Sequence, residues 1–176
     1  MELTNLISVD LLRTTIIVAS PLLLAAMGEL ILERAGMLNL SIEGMVSVSA
    51  AATFAVVYLI GPGLSGIGLA LLAAAVVSVL MGLIYGWLCL SLQANQITVG
   101  LGLLILGLGA ASLLYRGTVG ISTTPPRIPT LPVIPIPGLV DIPVLGPVLF
   151  RHSLFVYAAV LIVVPVWFVL YRTELG

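Results

Sequence analysis

Residues 44–115 read GMVSVSAAATFAVVYLIGPGLSGIGLALLAAAVVSVLMGLIYGWLCLSLQANQITVGLGLLILGLGAASLLY, 72 positions without one charged side chain. A water-soluble domain needs charge on its surface, and typical domains carry about 25% Asp, Glu, Lys and Arg. Here those four make up 7% of 176 residues, 61% are hydrophobic, and the mean hydropathy is +1.31. About 20 helical residues span the hydrocarbon core of a bilayer. The stretch is long enough for several crossings, and it places the chain in lipid.

Working outward, five apolar segments emerge, at about 14–31, 37–60, 64–92, 97–115 and 153–171. Lipid offers backbone groups no water, so helices are the expected form. The runs lack strict apolar/polar alternation and greatly exceed barrel-strand length, which argues against a closed β-barrel. The fold class expected is all-α, a polytopic transmembrane helical bundle, with 1–176 as a single membrane domain.

The remaining composition excludes several function classes. The net charge is -1 and the six basic residues, all Arg, are scattered singly, so no phosphate-tracking patch forms and nucleic acid is not a partner. Cys89 and His152 are each the only residue of their kind, which leaves no Cys/His metal site and no intramolecular disulfide. Cys89 reads as a small apolar filler. Residues 1–10 carry Glu2 and Asp10 but no basic residue, unlike a cleaved signal peptide. The first apolar run is therefore read as a retained membrane segment.

In the third segment Ala70, Ala74, Ser78, Gly82 and Gly86 fall four residues apart and share one helical face. Small residues at this spacing let another helix approach closely, within the chain or from a partner, with Gly82 and Gly86 as the tightest part. Residues 116–152 differ in kind. They hold Pro125, Pro126, Pro129, Pro132, Pro135, Pro137, Pro143 and Pro147 and cannot form a normal span. An apolar loop over one mouth of the bundle is expected, in contact with protein or the membrane interface.

The informative polar groups are Glu29, Glu33, Arg34, Asn39, Ser41 and Glu43. A carboxylate within a span is costly unless it faces water, a partner or a protein interior. Arg34 would pair with a neighbouring element or sit at the membrane edge. Gly28 and Gly36 bracket the cluster and permit a break, after which Ser41 or Asn39 would cap a restarted helix with Glu43 near its positive end. Such a break is either an ordinary interfacial loop or a structural or gating element of a transport path. A second polar interruption, Gln93-Ala94-Asn95-Gln96, is read either as turn chemistry or as a neighbour of that path. Glu33, Arg34, Asn39, Ser41, Glu43, Asn95 and Gln96 are the translocation or gating candidates. In the fourth segment, Gly102, Gly107 and Gly109 would make the helix flexible or closely packed.

No catalytic constellation is legible. Ser41 and Ser47 have no histidine nearby in sequence, His152 reads as solvent-exposed or interfacial, and no phosphate-binding Gly-Lys-Ser/Thr loop occurs. The chain is read as a non-enzyme that needs no cofactor of its own.

At these residues the sequence resembles the membrane-spanning permeases of bacterial ABC importers, in the simple-sugar and nucleoside branch related to ribose and branched-chain amino-acid permeases. The run 32–44 carries the resemblance: Glu33, Arg34, Ala35, Gly36, Asn39, Glu43 and Gly44 match the family pattern, while Leu32 replaces its usual serine. Residues 21–28 resemble the family's first helix, Ala94-Asn95-Gln96-Ile97 with Gly100 its short inter-helix signature, and 171–176 the start of its cytoplasmic connection. The resemblance implies a multi-pass protein of the bacterial cell membrane and import of a small polar solute such as a nucleoside or simple sugar. It also implies three partners: a second permease subunit, cytoplasmic ATP-binding subunits that hydrolyse ATP, and an extracytoplasmic solute-binding protein. Family permeases are longer, which makes this a partial permease fold. A non-transporting membrane assembly or accessory protein derived from a permease fragment is the competing expectation. With 171–176 cytoplasmic, the proline-rich loop is extracytoplasmic, and five complete crossings put Met1 on that same side; one incomplete crossing reverses it.

Overall fold

The computed structural model describes residues 8–120, 126, 128 and 131–173. Glu2, Pro125, Pro129 and residues 174–176, part of the expected cytoplasmic connection, lie outside them. Five helices are long and apolar enough to cross a membrane: Val9–Arg34, Ile42–Ile60, Leu64–Ser91, Gln96–Val119 and Leu154–Arg172. They are α1, α2, α3 (Leu64–Gly86, continued by a π-helical turn Trp87–Ser91), α4 and α6. A short helix, α5 (Leu145–Leu149), and two strands, β1 (Val133–Pro135) and β2 (Arg151–Ser153), complete the elements. The chain divides into two compact units, Met1–Arg34 with Thr130–Gly176, and Ala35–Pro129.

Lipid as solvent explains what the helices expose. Leu64 is 92% accessible, Leu59 and Leu113 73% each, and Leu161 69%. In water a fully exposed Leu forfeits about 1.5–3 kcal/mol relative to burial, a cost that acyl chains remove. The protein is an all-α, polytopic membrane helical bundle.

In the first unit α1 runs unbroken from Val9 to Arg34 through Pro21 and Gly28. Gly28 permits a turn without imposing one, and the break allowed between the first two segments falls at the Gly36 end of the cluster. Ser8 Oγ accepts from the Leu11 backbone N–H at 3.1 Å and satisfies one free donor of the first turn. Two contacts fix how α1 and α6 lie. Arg13 Nε donates to the Arg151 carbonyl at 3.2 Å, and the Arg34 guanidinium stands 4.4 Å from the centre of the Tyr171 ring. Start meets start and end meets end, so the helices are parallel. Arg13 and Arg34 are separated by 21 residues, about 31 Å of helix at 1.5 Å per residue. That equals a hydrocarbon core of about 30 Å. The later part of the proline-rich loop, from 133 on, folds into a hairpin and α5, and β1 pairs antiparallel with β2, Ile134 opposite His152.

In the second unit α2 and α4 are the intimate pair. A Cβ added to Gly107 would lie 2.6 Å from Gly44 Cα, and one added to Gly44 would lie 2.8 Å from Leu104 Cα. Further along, the Phe54 and Tyr115 rings are 5.2 Å apart, so these helices are also parallel. Helix α3 returns antiparallel beside α2, with the Ser49 and Ser78 hydroxyls 2.8 Å apart. Of the small-residue stripe, Ala70 is buried and Ala74 half-buried, but nothing lies within 4 Å of a Cβ at Gly82 or Gly86. The tightest approach of one helix backbone to another is at Gly44 and Gly107 instead. Gly102 and Gly109 are likewise open.

Two measurements check this arrangement. Gly44→Ala or Gly107→Ala must force backbone apart and should lower thermal stability in detergent by about 1–3 kcal/mol, as overpacking does, whereas Gly82→Ala should be neutral or better. Cysteines placed at Ser8 and Asp141 should react with an impermeant reagent from one face of the membrane, and one at Glu33 from the other.

Candidate functional site

Residues 37–41 are the irregular stretch before α2. Gly36, at φ +77°, turns the chain out of helical geometry in a region that other residues rarely occupy. The backbone that follows is partly met from other elements and partly from within the stretch. The Leu38 N–H donates to Gln96 Oε1 at 2.8 Å, and the Leu38 carbonyl accepts from the Tyr85 hydroxyl at 2.5 Å. Asn39 Oδ1 accepts from both the Ser41 N–H, at 2.9 Å, and the Ser41 hydroxyl. Neither side-chain cap that the sequence allowed forms: Ser41 holds the position before α2 without a side-chain bond to its first turn, and Asn39 closes an Asx turn onto Ser41 instead.

Asn39 is 5% exposed and Ser41 is fully buried. Leu40 closes over α4 at Gly100, where a Cβ would lie 3.0 Å from Leu40 Cβ. Tyr85, Cys89 and Leu103 form the buried core behind the stretch, with Met37, Met45, Met81 and Val99 packed on it. Cys89 is thus the filler expected, and it lies in the π-helical turn. Three departures from regular helix therefore converge at one end of this unit: the 37–41 break, the π turn, and the start of α4. Helix α4 begins at Asn95, whose Oδ1 accepts from the Ile97 and Thr98 N–H groups at 3.0 and 3.1 Å. Gln93, at φ 51°, makes the tight return before it.

Of the seven gating candidates, Asn39, Ser41 and Gln96 are brought together here. Asn95 serves the α4 cap, and Glu43 lies exposed in the first turn of α2, where the helix's positive end favours it. Glu33 and Arg34 end α1 in the other unit. Glu33 is exposed, and Arg34 takes up the neighbouring-element role through Tyr171, while Arg172 stands 5.7 Å from the Trp167 ring. Sequence reasoning missed Tyr85. Its signal was a hydroxyl-bearing aromatic in an otherwise apolar helical run, which needs a polar partner when buried.

His152 corrects an expectation. It is 1% exposed, not solvated, because Nε2 lies 2.6 Å from the Val148 carbonyl and the ring meets Tyr157 edge-on. Tyr157 in turn accepts from the His152 N–H and donates to the Ile134 carbonyl, both at 3.1 Å, riveting hairpin to α6. His152 lies at the Arg13 end of α1 and Glu29 near the Arg34 end, so these two form no acid–base pair. Among the described residues, no group of three His, Cys, Asp or Glu side chains is placed to hold a metal ion.

The bonding at 37–41 has a measurable consequence. Tyr85→Phe removes the hydrogen bond to the Leu38 carbonyl and should cost about 0.5–1.5 kcal/mol. Asn39→Ala leaves the N–H and hydroxyl of fully buried Ser41 without their acceptor and should cost about 1–3 kcal/mol. Thermal unfolding of the purified chain in detergent measures both, and Glu33→Gln, at an exposed position, should leave stability unchanged.

Comparison with known proteins agrees with the resemblance seen at 32–44. A Haloferax volcanii protein, provisionally named a glucose ABC transporter permease protein, is 39% identical over 168 residues, which cover 94% of this chain and 49% of that protein. The guanosine ABC transporter permease protein of Bacillus subtilis is 30% identical over 179 residues, and the nucleoside ABC transporter permease protein of Lactococcus lactis 25% over 185. Each alignment covers 100% of this chain and 56% of the relative, so the chain spans about half the length of the relatives it matches. No solved structure matches it. Residues 11–176 match the family described as branched-chain amino acid transport system / permease component. With five membrane-length helices over that same region, this chain is a multi-pass membrane protein that belongs to that permease family.

Proposed function

We propose that the chain forms part of the membrane path of an ATP-driven importer for a small polar solute of the nucleoside or simple-sugar class. The family match supports the permease role, and the names of the relatives, glucose, guanosine and nucleoside permeases, support the solute class. ATP binding falls to separate cytoplasmic subunits, solute delivery to an extracytoplasmic binding protein, and closure of the path to a second permease subunit. The chain's own role is conformational and makes or breaks no covalent bond.

The observation that carries this reading is the joint at 34–41. The two compact units meet in sequence between Arg34 and Ala35, followed at once by the left-handed Gly36. Beyond it, both backbone groups of Leu38 are held by side chains of α3 and α4. Interrupted helices whose freed backbone is held by neighbours are the usual building material of transport sites. Side-chain bonds exchange partners more readily than a helical ladder, so this stretch can rearrange while α2 stays whole. Asn39, Ser41 and Gln96 act here as a latch, with Glu43 and Asn95 next to it in the same unit; Glu33 and Arg34 precede it in sequence.

The test is ATP-dependent uptake into vesicles that contain the chain, its partner subunits, the ATPases and the binding protein, with guanosine, glucose and a branched-chain amino acid offered in turn. Uptake of a nucleoside or sugar that requires this subunit is expected. Gln96→Leu should reduce the rate while leaving assembly intact. Uptake that continues without the chain would reject the proposal.

A further inference from the structure

The stretch 131–150, LPVIPIPGLVDIPVLGPVLF, contains one polar side chain, Asp141. A loop in water has no reason to be so apolar, and in this structure the apolar groups are not hidden. Val133, Ile134, Ile142, Val144, Leu145 and Leu149 are 38–57% exposed, while only Gly146 and Val148 are buried within it. Burial of its own core thus accounts for little of the composition.

Its backbone is prepared for a medium without water. Five of the 20 residues are proline and carry no N–H. The remaining groups largely pair inside the element. The Ile136 N–H donates to the Phe150 carbonyl at 3.0 Å, Val140 to Ile136 at 3.1 Å, Gly146 to Ile142 at 2.8 Å and Phe150 to Gly146 at 2.9 Å. The β1–β2 ladder and the Tyr157 hydroxyl take others. A solvated loop leaves such groups to water; this one does not.

Its depth follows from α1 and α6. The Arg13–Arg151 contact and the Arg34–Tyr171 contact sit about 31 Å apart along α1, one hydrocarbon thickness. They mark the two interfacial planes, with Trp167, Tyr171 and Arg172 at the second in the manner of an aromatic and basic belt. Arg151 is the first residue of β2, so the hairpin hangs from the first plane. Its exposed apolar groups continue the lipid-facing surface of α6 through Leu154, 67% exposed, to Leu161.

From these observations we propose that residues 131–149 form a membrane-immersed cap, seated among the headgroups and upper acyl chains of the leaflet at the amino-terminal ends of α1 and α6. The partner is the bilayer itself, and a docked protein is the outcome that the test must separate from it. The cap anchors α6 at the lipid surface with Asp141 turned to water and His152 buried. This inference requires membrane insertion and does not depend on transport.

The full chain, unaltered and reconstituted in phospholipid vesicles, is irradiated with a lipid carrying a diazirine close to its headgroup, and the labelled peptides are identified. Labelling within 131–149 is expected alongside the ends of α1 and α6; labelling confined to the helices would overturn the proposal. In parallel, single cysteines at Val133 or Leu145, in a Cys89→Ser background, carry an environment-sensitive fluorophore. Nitroxide borne high on the acyl chain should extinguish most of the emission and aqueous iodide little of it, with a label at Asp141 responding the opposite way. Stronger quenching by iodide at Leu145 would return the segment to water. Protection from both quenchers would place a protein there, and either result refutes lipid immersion.

Discussion

Everything in this structure answers to one constraint: a backbone N–H or C=O inside a bilayer has no water to bond and must be met by the protein. Regular helix meets it automatically, which is why five long helices account for most of the described chain. The instructive places are those where helix stops. At 37–41 the freed groups of Leu38 go to Gln96 and Tyr85, and those of Ser41 to Asn39. At 131–150 proline deletes donors and a hairpin absorbs most of the rest. The same rule gives opposite textures, a polar stretch held by side chains in one case and an apolar hairpin in the other.

Once lipid removes the hydrophobic drive between helices, closeness has to come from shape. Gly44, Gly100 and Gly107 supply it, since at each a single methyl would strike α2 or α4 backbone or Leu40. That closeness is also what brings the start of α4 against the 37–41 stretch, within reach of Gln96. Packing and polar satisfaction are therefore linked: the glycines set the distance at which the glutamine can act.

The polar joint and the family relationship bear on one another. A permease works by changing shape, so irregular backbone held by exchangeable side-chain bonds is more informative than a rigid cluster of charges. The ionic groups of the joint are not its structural centre. Glu33 and Glu43 are exposed, and Arg34 rests on Tyr171. The neutral residues Asn39, Ser41, Tyr85 and Gln96 do the holding.

The sequence by itself determined the solvent, the helical class, the five spans to within a few residues and the position of the polar break. All of these follow from hydropathy, glycine and proline, which act locally. The run 32–44 also carried the family. What only the tertiary structure decided were the partners across space. It turned Asn39 onto Ser41 in place of a side-chain cap, and chose Gly44 and Gly107 over Gly82 and Gly86 as the close contacts and a buried place for His152. It also showed α1 and α6 to be parallel, which crossing counts had left open. Spacing along one helix says which residues share a face, but not whether another helix lies against it. That depends on side chains far away in sequence, and only their simultaneous packing fixes which faces meet.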